Sequence, residues 1–89
     1  MIKCFIVQNV MEPKGRGVFK KNKFYIARIP DKINTISVLD MKGNWVPFKW
    51  RRGPLSLEKF DVYFDIWDEF LIENKKELNL YVPTTKFYE

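Results

Sequence analysis

The residues best suited to chemistry lie in one run, Asn44-Trp45-Val46-Pro47-Phe48-Lys49-Trp50-Arg51-Arg52-Gly53-Pro54. It sets Trp45, Phe48 and Trp50 among the cations Lys49, Arg51 and Arg52. Aromatic faces stack on bases, while lysine and arginine neutralise phosphates or carboxylates. The run therefore reads as a surface that grips an anionic partner. It also suits plain structural wall. Strand alternation would turn Val46 and Phe48 inward, with Trp50 open between the two roles, and leave Trp45, Lys49 and Arg51 outside.

A second basic group is the loop Lys14-Gly15-Arg16-Gly17, followed by Lys20, Lys21 and Lys23. A basic loop beside a folded core can contact nucleic acid or an acidic protein face, or can simply be solvated. Gly15-x-Gly17 is not a phosphate-binding loop, because no Lys-Ser/Thr pair follows at the required distance. A third group is acidic: Asp61, Asp65, Asp68, Glu69 and Glu73. Paired carboxylates can serve glycosidase or metal chemistry only in a cleft, which a short chain hardly provides. A solvated face is the simpler reading, and mimicry of DNA phosphates for a protein target is the other.

Histidine is absent and Cys4 is the single cysteine. Intrachain zinc sites, histidine-dependent triads and imidazole acid–base catalysis are thereby excluded. One cysteine forms no intramolecular disulfide framework and suits a reducing compartment. Cys4 sits in the apolar run Cys4-Phe5-Ile6-Val7, which predicts a buried, inert thiol. The expectation is a non-enzymatic protein with no catalytic residues, no cofactor and no metal.

The elements that position these groups must come from 89 residues, enough for one core. With 46% hydrophobic and 17% aromatic residues the chain is too apolar to be disordered. Charge is split: residues 1–55 carry twelve Lys/Arg against three acids, net +9, and residues 56–89 carry four against eight, net −4. Such a split predicts one basic and one acidic face, or an acidic tail. No apolar run is long enough to cross a bilayer, and Met1-Ile2-Lys3-Cys4 lacks a secretory pattern. A soluble, cytoplasmic protein is expected.

Strands are predicted at Ile2–Val10, Phe24–Ile29, Thr35–Leu39 and Asn44–Trp50. The first should turn Ile2, Cys4 and Ile6 to one face and Phe5 and Val7 to the other. Asp40-Met41-Lys42-Gly43 has the chemistry of a hairpin turn with glycine in the left-handed region. Pro47 removes a ladder donor, so the fourth strand is an edge or is bulged. The segment after Ser56 fits two periods. As a strand, Phe60, Val62, Phe64 and Ile66 alternate with Asp61, Tyr63, Asp65 and Trp67. As a helix capped by Ser56, Leu57, Phe60, Tyr63, Phe64, Trp67, Phe70 and Leu71 share a face.

The order of Met1-Ile2-Lys3-Cys4, Phe19-Lys20-Lys21-Asn22-Lys23-Phe24-Tyr25, Val38-Leu39-Asp40-Met41-Lys42-Gly43-Asn44-Trp45 and Phe60-Asp61-Val62 resembles a family of short bacteriophage and prophage proteins with an SH3-like barrel. The resemblance covers residues 1–66. It departs from the family pattern where Asn22 replaces a turn glycine and Lys42 replaces an acid before Gly43. It implies a short helical turn at Leu57-Glu58-Lys59 and a strand Phe60–Ile66 that closes the barrel against the first strand, leaving Trp67–Glu77 free to be helical.

The expected fold is thus mainly β: a small SH3-like five-stranded barrel over residues 1–67 and a C-terminal extension, helical in one alternative, over residues 68–89. The expected function is that of a phage or mobile-element accessory module that binds and modulates a host macromolecule, with protein favoured over DNA or RNA. Its partner-binding residues would be Lys14, Arg16, Trp45, Lys49, Trp50, Arg51 and Arg52. No membrane contact and no small-molecule substrate are expected.

Overall fold

The computed structural model describes residues 2–13, 17–29, 35–49 and 55–73. These residues form strands β1 (Ile2–Asn9), β2 (Phe24–Ile29), β3 (Thr35–Leu39) and β4 (Trp45–Lys49), helix α1 (Leu57–Tyr63) and strand β5 (Phe64–Ile72). The strands make one antiparallel sheet in the order β4-β3-β2-β1-β5. The mainly-β expectation holds, and β2 and β3 have the predicted bounds. β4 is an edge strand, as Pro47 implies, since a residue without an N–H is tolerated there.

Closure differs from expectation. β5 does pair with β1, but among the described residues no ladder joins β5 to β4, so the sheet is open and not a closed barrel. Side chains bridge the gap instead. Phe48 on β4 meets Phe60 and Tyr63 of α1 and Phe64 of β5, with ring centroids 5.7, 6.5 and 5.8 Å away. These edge-on ring contacts add packing beyond burial alone.

The ambiguous segment obeys both periods in turn. Ser56 caps the helix, its Oγ accepting from the Lys59 N–H at 3.1 Å, and Phe60 and Tyr63 are the buried face. That spacing sustains about two turns, so the helix runs beyond the single turn expected at residues 57–59. Phe64 then takes an extended conformation (φ −133°, ψ 139°) and its N–H returns to the Phe60 carbonyl. From there to Ile72 the chain is strand, which overturns both the expected strand Phe60–Ile66 and the helical alternative from Trp67. Beyond Phe64 the helical stripe has no core left to face: Trp67 and Leu71 lie exposed, whereas the strand pairs with β1 along eight registered residues. β5 crosses the expected boundary at residue 67. Residues 74–77 lie outside the described residues.

Alternation along β1 gives the sheet two apolar faces. Phe5 and Val7 join Phe19, Tyr25, Ala27, Val38, Val46, Phe48, Leu55, Phe60, Tyr63 and Phe64 in the main core. Cys4, with Ile26 and Ile72, forms a second cluster that Ile2, Leu39, Trp45 and Phe70 flank. Gly17 (φ +104°) is fixed by packing as well as by its dihedral. A Cβ there would lie 2.5 Å from the Phe19 ring and 2.8 Å from Val46.

A candidate binding face on the outer side of β2, β3 and β4

The β3–β4 hairpin is built around one carboxylate. Asp40 is buried, and its oxygens accept from the backbone N–H groups of Val18 (3.1 Å), Lys42 (2.9 Å) and Asn44 (2.8 Å). The Gly43 N–H donates to the Asp40 carbonyl across the turn, with Gly43 at φ +82° in open space. A backbone bond from Met41 to Val18 ties the chain that follows residue 16 to the same hairpin. The end of the basic loop is therefore anchored where β4 begins.

β4 alternates as strand geometry requires. Val46 and Phe48 are buried in the main core, whereas Trp45 and Pro47 are half-buried and Lys49 is exposed on the other side. Of the seven residues expected to bind a partner, Trp45 and Lys49 thus share the outer face. Lys14, Arg16, Trp50, Arg51 and Arg52 lie outside the described residues.

Arg28 was not among the expected residues, yet it completes this face. It pairs in register with Ser37, which pairs with Pro47, so it stands in one row with Pro47, between Trp45 and Lys49 along the strand direction. Its guanidinium carbon lies 3.9 Å from the centre of the Trp45 ring. The Arg28 Nε is buried with no hydrogen-bond partner, and among the described residues no carboxylate pairs with the guanidinium. A cation stacked on indole is held in place, and among the described residues no side chain or carbonyl accepts from its guanidinium. One local signal points to Arg28, which shares the Ile26 parity of β2; its neighbour on β4 follows only from the register across β3.

Arg28 also acts on the cluster beneath it. It is paired in register with Cys4, whose thiol makes a weak bond to the Ile2 carbonyl at 4.0 Å. Burial pushes the Cys4 thiol from its ordinary 9.0 up to about 11, and the Arg28 charge draws it partly back. The buried thiol expected from sequence is what the fold contains.

The acids fall elsewhere. Glu58 and Asp61 are exposed on α1, and Asp65, Asp68, Glu69 and Glu73 are exposed along or just after β5. Among the described residues no three His, Cys, Asp or Glu side chains converge on a metal-sized site, and no helix is long and apolar enough to cross a membrane. No family model, curated protein or solved structure matches this chain.

Proposed function

We propose that this chain is a non-enzymatic binding module that engages an acidic surface of another protein through the outer face of β2, β3 and β4. The observation that carries the reading is the Arg28 guanidinium, stacked on Trp45 at 3.9 Å and without a hydrogen-bonding or ionic partner in the described fold. A planar, preoriented donor fork matches a carboxylate bidentately, and the stack lowers the entropy lost when the pair forms. Lys49 supplies a second, exposed charge on the same face. Under the resemblance to phage and prophage proteins, the partner is a host macromolecule met in the bacterial cytoplasm.

Nucleic acid is the second reading, favoured by the same cations, by Arg51 and Arg52 just after Lys49 in sequence, and by Lys14 and Arg16. Trp45 weakens it. One face of the indole is taken by Arg28 and its body packs against the Cys4–Ile26–Ile72 cluster, so little ring is left for a base to stack on.

The test is affinity capture from host lysate with the native chain and with Arg28→Gln, scored by identifying what is retained. The expected result is an acidic protein retained by the native chain, lost or weakened at least about tenfold by Arg28→Gln, and only modestly by Lys49→Gln. Retention of DNA or RNA at low salt, with affinity falling steeply as salt rises, would replace this reading with the second. A partner held equally by the Arg28 variant would sink both.

A further inference from the structure

The opposite edge of the sheet carries a different surface. Ile66, Trp67 and Leu71 on β5 are 52, 57 and 58% exposed in the order Ile66, Leu71, Trp67, an unusual cost for large apolar side chains in a small protein. Trp67 is exposed but not loose. Its Nε1 donates to the Gln8 Oε1 at 3.1 Å, and its ring meets Phe24 edge-on at 5.2 Å. The register against β1 slips here: Ile6 faces Asp68 and Val7 faces Ile66, so Trp67 has no opposite residue. A bulge of this kind aims a side chain, and this one aims an indole already fixed by two neighbours.

Ile66 and Leu71 lie on the core side of the strand, whereas Trp67, set against Gln8 and Phe24, shares the other face with Asp65 and Asp68. Asp65, Asp68 and Glu69 are all exposed, and among the described residues only Glu69 has a cation beside it, its carboxylate 2.6 Å from the Lys3 Nζ. Among the described residues nothing pairs with the outer side of β5 at Asp65–Glu69. We propose that this edge is a docking site for an extended segment of another protein in which lysine or arginine alternates with apolar residues. The segment adds as a strand beside β5, its apolar side chains packing on Ile66 and Leu71 on one face and its cations meeting Asp65, Asp68 and the Trp67 ring on the other. Backbone pairing gives affinity, and the alternation gives specificity. Phosphate-bearing partners are repelled by this edge, and a second copy paired β5 to β5 would set carboxylate against carboxylate. The carboxylates that define the site lie on β5, with β1 between them and Arg28 on β2.

The test uses the full chain, 15N-labelled, titrated with a synthetic peptide of alternating lysine and valine matched in length to β5. A glutamate–valine peptide is the control. The expected result is saturable shifts of the Asp65–Leu71 amides with the lysine peptide alone. Trp67→Ala, at an exposed position that leaves the core intact, weakens binding about tenfold, and Asp65→Asn with Asp68→Asn flattens its salt dependence. Arg28→Gln leaves this binding unchanged, which separates the site from the function proposed above. Equal binding of both peptides, shifts centred on β4, indifference to Trp67→Ala, or no saturation by about 1 mM peptide would each overturn the proposal. So would concentration-dependent broadening of the β5 amides in the protein alone, which would assign the edge to a second copy.

Discussion

The two edge strands of this sheet solve one problem in opposite ways. An edge strand exposes unpaired backbone groups and invites aggregation. β4 is short, carries Pro47 at its centre and shows solvent the cation Lys49. β5 is nine residues long and has no proline; it is protected by a bulge at Trp67 and by the carboxylates Asp65, Asp68 and Glu69. The basic edge hides most of its aromatic surface, with Phe48 in the core and Trp45 under Arg28. The acidic edge leaves Trp67 in the open. The charge split along the sequence thus becomes a polarity across the sheet, and the contrast separates an edge that presents charge from one that presents apolar surface.

The largest test of the contrast removes what the edges share. Phe48 and Phe64 are both buried and in ring contact, so each anchors its strand to the same core. Phe48→Ala and Phe64→Ala should each destabilise the fold by about 3–5 kcal/mol in urea unfolding. A much smaller loss for one would mean that its edge is held from outside this cluster.

A smaller effect should fall on one edge alone. Asp40 organises the hairpin that starts β4, through three backbone N–H groups that no other side chain among the described residues serves. Asp40→Ala leaves those donors unsatisfied and should cost about 2–3 kcal/mol. Amide hydrogen exchange should speed up in β3 and β4 ahead of β5. Uniform acceleration across the sheet would mean that the edges do not open separately.

Much of this polarity was legible beforehand, and the illegible part has a physical cause. Period-two alternation placed β2 and β3 to the residue, and Pro47 marked β4 as an edge, because those signals are local. Ser56 and the spacing of Leu57, Phe60 and Tyr63 marked a helix, but nothing local states where a helical stripe runs out of core. That limit is set by Phe48 across the gap, so the switch to strand at Phe64 was missed. The candidate site failed in the same manner. Trp45 and Lys49 lie in one strand and their shared face follows from alternation, whereas Arg28 reaches Trp45 only through the register of β2 on β3 and β3 on β4. Trp67 fits a helical face in one period and alternates with Ile66 in a strand in the other; its exposure depends on a bulge that no residue type announces.

Cys4 supplies the finest test, because it lies in β1 with Arg28 opposite on the β4 side and Phe70 opposite on the β5 side. Its thiol is raised to about 11 in the fold from an ordinary 9.0, so the unfolded chain loses its proton first as pH rises. The stabilisation from keeping the thiol neutral is fully present below pH 9.0 and is lost as pH climbs through about 11. The loss should amount to at most about 3 kcal/mol, read from urea midpoints across that window against the same series for Cys4→Ala. Arg28 lowers the thiol by its charge, so Arg28→Gln should move the titration of the Cys4 13Cβ resonance further up. The carboxylates of β5 do not contribute to the shift, and Asp68→Asn should leave the resonance where it was. An equal response to both substitutions would mean that the charge of the two edges mixes across the sheet, and the polarity drawn here would be one of sequence only.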